Sequence, residues 1–235
     1  MATQYANGKI VNDGLVVALD AADRNSYVSG STIWNDVSIN AYSGSLSGVS
    51  APTYTTTYGG SINFSGGAFG NSYVANSNIP DSFWNAESWS VSTWIKFNVV
   101  NTGGTNDNSI VGHGASSANN GLHLAERGGK VHFGLYNNDL GGTKTLIANT
   151  IYNIIWTFDF TTKLKQIYLN SVFDISGGVA GYTGTGTNTR IGGYPYSNFG
   201  LSLNGNIYNI QFYSKVLSQQ EIIQNYNAQK TRFGI

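Results

Sequence analysis

Carboxylate side chains are sparse and badly spaced for glycoside hydrolysis. That reaction needs two carboxyl groups flanking the scissile bond, about 5 Å or about 6.5–9.5 Å apart. The glutamates Glu87, Glu126 and Glu221 are widely separated, and none forms an acidic pair at alternate positions. Glu221 fits a helix cap, Glu126 lies beside a predicted hairpin turn, and Glu87 precedes a predicted strand. We therefore expect no catalytic residues and a protein that is not an enzyme.

The histidines raise the question of a metal site. His123 and His132 are predicted to lie diagonally on one face of a hairpin, with Cβ atoms about 7 Å apart. Two ligands do not complete a zinc site, and no carboxylate alternates with them along the sequence. The favoured interpretation is that they are polar residues on a partly covered face. His113 has no partner that the sequence reveals.

Oxygen ligands near the N-terminus make calcium a better metal hypothesis. Two predicted loops contain Asp20, Asp23, Asp36 and Asn40, and carboxylate and amide oxygens suit Ca²⁺. The same residue types also make hydrogen bonds within turns. Because the residues lack the tight alternating spacing of an EF-hand loop, turn hydrogen bonds are favoured and a structural Ca²⁺ is the alternative.

Two predicted loops carry aromatic residues beside amides and hydroxyls, the combination that stacks on and bonds to sugars. Aromatic loops equally suit subunit contacts. We favour a subunit interface, because a charge-poor surface suggests that much of it is covered in an assembly. The candidates for glycan or partner contact are Tyr194, Tyr196, Asn198 and Phe199 in one loop, and Phe83 and Trp84 in the other.

Composition excludes several classes of function. Charged residues make up only 10% of the chain, and Lys+Arg and Asp+Glu number 12 each. With no basic run, binding to nucleic acid or to an anionic membrane is not expected. The absence of cysteine excludes disulfides and thiolate chemistry. Residues 1–9 lack the apolar core of a signal peptide, and no run approaches the ~18 apolar residues of a membrane span. We expect a soluble protein made in a cytoplasm.

The strongest strand signal runs from Trp89 to Phe97. Apolar residues fall on one face at a period of two, as in a strand and not in a helix. Trp89 and Trp94 fall on opposite faces, which predicts a central strand with a core on one face and partial cover on the other.

Two hairpins and one helix complete the outline. Gly128-Gly129 predicts a two-residue turn that places Leu124 opposite Phe133 and Glu126 opposite Val131. A second hairpin joins residues 153–160 to 164–170. Near the end, Ser218 and Glu221 form a capping-box pattern that predicts a short helix.

About a dozen short strands separated by turns, with one terminal helix, favour an all-β fold. We predict a two-sheet antiparallel jelly-roll sandwich with a short C-terminal helix. Residues 1–13 are predicted to be a lead-in segment, and residues 14–235 a single domain.

Several motifs carry a family resemblance that spans nearly the whole chain. They are the opening Asp13–Asp23, the Trp34–Asn40 stretch, the strand Ser90–Lys96, the short motif Tyr168–Asn170 and the closing stretch Asn204–Tyr226. Together they resemble the concanavalin A-like lectin/glucanase superfamily. More narrowly, they are similar to the laminin-G-like jelly-roll domains of bacterial surface proteins and of tailed-phage structural proteins, and the opening stretch most resembles virion proteins of marine tailed phages.

The resemblance implies a non-enzymatic virion structural protein of a tailed phage, a capsid decoration or a fibre or spike subunit. Its partners would be other virion proteins and copies of itself, with host-surface glycans as a further ligand. It would be made in the host cytoplasm and lie on the virion surface. The alternative is a carbohydrate-binding, lectin-like module of a phage or bacterial surface protein, on the bacterial exterior. Related domains sometimes hold a structural calcium ion in loops like those of Asp20 and Asp36.

Overall fold

The chain folds into two stacked β-sheets. The computed structural model describes residues 4–5, 8–76, 78–102, 106–178, 180–186, 189–196 and 200–235. The strands are β1 Gln4–Tyr5, β2 Gly8–Lys9, β3 Leu15–Asp20, β4 Ile33–Trp34, β5 Gly44–Ser47, β6 Thr53–Thr55, β7 Ser61–Ser65, β8 Tyr73–Asn76, β9 Trp89–Phe97, β10 Asp107–Gly114, β11 Gly121–Arg127, β12 Lys130–Gly134, β13 Asp139–Thr145, β14 Ile151–Phe158, β15 Lys165–Leu169, β16 Val172–Gly177, β17 Thr189–Ile191, β18 Gly200–Ser202 and β19 Asn204–Tyr213. The helices are α1 Asp81–Asn85 and α2 Gln219–Gln229, with 3-10 turns at Thr57–Gly59 and Lys230–Phe233.

The predicted jelly-roll sandwich is confirmed. One sheet has nine strands, in the order β13-β12-β11-β10-β17-β8-β5-β4, with β18 pairing in parallel with β10. The other has eight, in the order β16-β15-β14-β9-β19-β7-β6, with β3 beside β19. The remaining pairings within the two sheets are antiparallel, and the inward faces of both sheets enclose the main apolar core.

The strand β9 lies at the centre of its sheet, as its sequence predicts. It pairs with β14 on one side and β19 on the other. Trp89 is fully buried in the core between the sheets. Trp94 faces the opposite way and stacks on Phe233 with ring centroids 4.4 Å apart. The cover predicted for the second face is therefore supplied by the C-terminal segment.

The β11–β12 hairpin has the predicted register. Leu124 pairs with Phe133 and Glu126 pairs with Val131. Gly128 and Gly129 have φ angles of 60° and 77°, the left-handed values that a type I′ turn requires and that glycine adopts without steric cost.

The helix α2 begins with the predicted capping box. The Ser218 side chain accepts a hydrogen bond from the Glu221 backbone, and the Glu221 carboxylate accepts one from the Ser218 backbone. Leu217 and Ile222 pack in one cluster with Val11. Ile223, the next residue along the helix, is 42% exposed.

Some elements differ from the expectation. α1 lies inside the stretch predicted as a loop at residues 76–86, and the edge strands β13 and β16 were not predicted. Both are mostly solvent-facing, so their sequences lack an apolar alternation. Within the described residues, no helix has both the length and the apolar character needed to cross a bilayer.

Candidate functional site

A cavity of about 180 Å³ lies on the face of the nine-stranded sheet that points away from the core. Strand alternation creates this second face: Leu122 and Leu124 enter the core, whereas His123 and Arg127 point outward. The lining residues come from β10, β11, β13 and two loops. They are Asp107, His123, Arg127, Tyr136, Asn137, Asp139, Tyr194 and Tyr196.

Glycines in the sheet make room for the rings of the cavity. A Cβ atom added at Gly112 of β10 would lie 2.6 Å from Cδ1 of Tyr194, and one at Gly121 would lie 3.1 Å from the Tyr196 hydroxyl. The two tyrosine rings stack on each other with centroids 5.5 Å apart. The missing side chains thus let aromatic rings approach the sheet backbone closely.

Arg127 organises the charges of the site. Its guanidinium bonds Asp107 through Nε and Nη2, the latter at 2.8 Å, and its Nη1 contacts Asp139 Oδ2 at 3.0 Å. Burial alone would lower the pKa of Arg127, but the hydrogen bonds and charge of Asp107 raise it. Burial would raise the pKa of Asp139, yet the imidazoles of His123 and His132 beside its carboxylate hold it well below its ordinary value. The guanidinium of Arg127 and the carboxylate of Asp139 are therefore charged at neutral pH.

The loop of Tyr194 and Tyr196 contributes to this site, but not as exposed rings. The side chains are only 2% and 8% exposed. The Tyr194 hydroxyl donates to Asp107 Oδ2 at 2.7 Å, and the Tyr196 hydroxyl donates to the Leu122 carbonyl at 2.9 Å. Burial raises the pKa of both phenols. The expectation of exposed rings is wrong because their hydroxyls are anchored to the sheet. Asn198 and Phe199 lie outside the described residues.

The other aromatic pair is buried. Phe83 and Trp84 are 3% and 0% exposed and belong to the core between the sheets. The Trp84 indole donates to Thr189 Oγ1 at 2.9 Å. The short helix α1 turns both rings inward, so the expectation that they are presented to a ligand or partner is wrong.

Asp139, which the sequence pattern does not place near the two histidines, lies beside both of them. His123, His132 and Asp139 each place one potential ligand atom within 4.8 Å of the others. Asp139 opens β13 and pairs with Gly134, which in turn pairs with His123. The turn-forming residues Asn137-Asn138 after β12 were the signal for this extra strand. Burial lowers the pKa of His132.

The calcium candidates are occupied by hydrogen bonds of the fold. Asp36 Oδ1 accepts from the backbone of Ala18 and Ser38, at 2.7 and 2.8 Å. Asp20 forms an ion pair with Arg232 at 2.8 Å. Asp23 caps its own turn at Asn25, and the exposed Asn40 donates to a backbone carbonyl. Calcium in these loops stays a prediction.

His113, which has no visible partner in the sequence, has two in the fold. Its Nδ1 lies 2.8 Å from the Tyr182 hydroxyl and its Nε2 lies 3.0 Å from Asp81. The imidazole is fully buried, and burial lowers its pKa. This trio ties α1 to the nine-stranded sheet.

The sequence itself matches a known family. The Laminin_G_3 family model, described as concanavalin A-like lectin/glucanases superfamily, matches residues 66–223. The chain belongs to this family. For this concanavalin A-like chain, a comparison with curated proteins found no match.

Solved structures share the fold at low sequence identity. The ligand-binding domain of botulinum neurotoxin serotype D, in complex with N-acetylneuraminic acid, has a TM-score of 0.65 at 19% identity over 93% of this chain. Trypanosoma rangeli sialidase, with a difluoro-KDN ligand, has a TM-score of 0.67 at 14% identity over 96% of this chain. The concanavalin A-like chain spans 52% of the first and 34% of the second.

Another similar structure is a separate domain of similar size. Domain 4 of AbnA, a GH43 extracellular arabinanase from Geobacillus stearothermophilus in complex with arabinotriose, has a TM-score of 0.62 at 17% identity. The match covers 92% of this chain and 98% of that domain. At these identities the similarity establishes the fold alone.

Proposed function

We propose that this chain is a lectin-like module that binds a carbohydrate in the cavity beside Arg127. The observation that carries the proposal is the composition of the cavity wall. The half-buried ring of Tyr136 and the exposed amide of Asn137 adjoin the paired charges of Arg127 and Asp139. An aromatic face with fixed donors and acceptors nearby is what sugar recognition requires.

The size of the cavity suggests the size of the ligand. At about 180 Å³ it is smaller than the roughly 300–1,000 Å³ of typical drug-sized sites. One terminal sugar residue is therefore a better fit than the middle of a long chain. The botulinum and arabinanase structures, which hold N-acetylneuraminic acid and arabinotriose, support a sugar as the class of ligand.

A glycan array with the purified protein tests this proposal. Tyr136→Ala is expected to abolish binding, because the residue lines the cavity and is only half buried. Phe173→Ala is the matched control, since Phe173 is 45% exposed on the edge strand of the other sheet. Tyr194 and Tyr196 are poor choices for this test because their removal would also damage packing. A blank array for the unmutated protein would refute the proposal.

Within the same proposal the module binds sugar without hydrolysing it. The two carboxylates that line the cavity, Asp107 and Asp139, both bind the guanidinium of Arg127. The lowered pKa of Asp139 opposes a role as general acid, which calls for a raised one. Hydrolysis of any common polysaccharide by the pure protein, lost in Asp139→Asn, would contradict this.

We propose the surface of a tailed-phage virion as the setting, with the chain as a decoration, fibre or spike subunit. The sequence resemblance supports it, as does the low fraction of charged residues, which is 10% of the chain. In that setting the chain contacts other virion proteins and copies of itself, and a bacterial cell surface is the alternative. Light scattering after size-exclusion chromatography should then give an oligomer. A monomer at high concentration that binds no virion protein would contradict the virion role while leaving the sugar site intact.

A further inference from the structure

We propose that His123, His132 and Asp139 bind a transition-metal ion, best fitted by Zn²⁺, on the wall of the cavity. The three side chains come from β11, β12 and β13, which are neighbours in the nine-stranded sheet. A metal ion here goes beyond sugar binding and does not depend on it.

Each histidine nitrogen lies as far from an oxygen of Asp139 as two ligands lie from each other around one tetrahedral ion. The Nε2 atom of His123 is 3.3 Å from Asp139 Oδ1, and the Nε2 atom of His132 is 3.5 Å from Asp139 Oδ2. Two ligands that are each about 2.0 Å from a tetrahedral zinc are roughly 3.3 Å apart. The three ligand atoms lie within 4.8 Å of one another, so side-chain rotations would bring them onto one ion.

The hydrogen bonds of His123 orient its ring for metal binding. Its Nδ1 lies 2.9 Å from the Gly121 carbonyl oxygen. A carbonyl can only accept, so Nδ1 carries a proton and Nε2 is the nitrogen that a metal ion would bind. Nε2 faces an oxygen of Asp139, and a bridging cation would take the place of a proton between the two atoms. A backbone carbonyl on the far nitrogen is a common outer partner of metal-binding histidines.

His132 provides an independent indication. The residue is 6% exposed, and its Nε2 has no hydrogen-bond partner among the described residues. A buried polar nitrogen of this kind costs free energy unless something binds it. The atom is directed at the Asp139 carboxylate, where a shared ion would satisfy it.

The charged side chains that line the cavity favour a divalent cation. The formal net charge of three side chains beside the two imidazoles is −1, from the carboxylates of Asp107 and Asp139 and the guanidinium of Arg127 between them. Arg127 binds Asp139 through Oδ2 at 3.0 Å, which leaves Oδ1 available to an ion. In this role Arg127 orients the carboxylate rather than competing for it.

The donor set selects the metal. Two imidazole nitrogens and one carboxylate oxygen suit Zn²⁺ and its late first-row neighbours, whereas Ca²⁺ and Mg²⁺ prefer oxygen ligands alone. Three protein ligands leave a fourth coordination position, which here would face the cavity.

Calorimetric titration of untagged, chelator-treated protein with ZnCl₂ tests the site directly. One Zn²⁺ per chain is expected, and Co²⁺ should give the visible absorption bands of a tetrahedral complex. Asp139→Asn and His132→Gln should each weaken Zn²⁺ binding at least tenfold. Asp13→Asn is the control, because the Asp13 side chain is 82% exposed; it should leave Zn²⁺ binding unchanged.

NMR of the imidazole nitrogens keeps the test decisive if a variant fails to fold. In the unmutated protein, Zn²⁺ should shift the signals of His123 and His132 but not those of the buried His113. No saturable Zn²⁺ binding, unaltered binding in Asp139→Asn, or a response at His113 alone would each overturn the metal site. Because no sugar is used, these results are independent of the glycan array.

Discussion

The imidazole of His123 lies over the backbone of Gly134 in the neighbouring strand. A Cβ atom added at residue 134 would lie 1.8 Å from His123 Nε2, whereas real Cβ contacts below 3.0 Å essentially never occur. The ring crosses this space to come within 3.3 Å of Asp139, two strands away. The glycine at position 134 of β12 therefore leaves the space through which His123 of β11 reaches Asp139 of β13.

Gly134→Ala should displace the His123 ring and destabilise the protein. Overpacking of this kind costs about 1–3 kcal/mol, which urea unfolding measures. Gly141→Ala is the matched control, because no described atom lies within 4 Å of its added Cβ. The control should be neutral or stabilising by about 0.4–1 kcal/mol. Equal effects of the two substitutions would contradict this account of the site.

The C-terminal segment is fastened by a buried ion pair between Arg232 and Asp20. Their side chains are 10% and 4% exposed, and the guanidinium also donates to the carbonyls of Tyr58 and Gly60. Arg232→Ala should cost about 3–5 kcal/mol, because it removes the cation that offsets a buried carboxylate. Denaturant midpoints measure the loss. Arg24→Ala, at an exposed position, removes the same charge and should have little effect.

Calcium in the N-terminal loops can be tested separately. Because Asp20 is paired with Arg232 and both oxygens of Asp36 accept hydrogen bonds from the fold, a chelator of Ca²⁺ should leave the melting temperature unchanged. Differential scanning calorimetry with and without the chelator measures this. A clear drop that added Ca²⁺ reverses would restore the calcium hypothesis.

Much of the fold could be predicted where one face of an element is buried. β9 and the β11–β12 hairpin were predictable because apolar alternation and turn chemistry agree, and the register that follows from Gly128-Gly129 is the observed one. The capping box of Ser218 and Glu221 was also predictable, because its two residues lie close together in the sequence. β13 and β16 were missed because edge strands need no apolar alternation, and their pairing is decided by the neighbouring strand.

The site was harder to predict because it depends on contacts across strands. His123 and His132 could be placed on one face, but Asp139 arrives from the unpredicted β13. Exposure was also misjudged at Tyr194 and Phe83, since aromatic residues in loops are buried when the loop folds back onto a sheet or into the core. Loop position alone therefore does not establish that a ring is available to a ligand.

Lys165 gives a prediction about pH, because its ammonium group is buried between the sheets. The side chain is 1% exposed and donates to the Asn138 carbonyl. Burial lowers the pKa of Lys165 from its ordinary 10.5 to about 8. Between about pH 8 and 10.5 the unfolded chain binds more protons than the folded one, so the free energy of unfolding should rise with pH across that window.

Below about pH 8 the amine is protonated in both states and the cost of burying its charge is present in full, about 3 kcal/mol. Lys165→Met removes that cost but loses a hydrogen bond worth about 1 kcal/mol. The variant should therefore be the more stable protein at pH 7, and its advantage should disappear as pH approaches 10.5. Guanidinium unfolding of both proteins at several pH values measures the difference in their free energies of unfolding. The titration of buried tyrosines cancels in this difference, because both proteins contain the same tyrosines. Lys130→Met, at an exposed position, is the matched control. If the difference in unfolding free energy between Lys165→Met and the unmutated protein did not change with pH, the buried amine would not titrate as proposed.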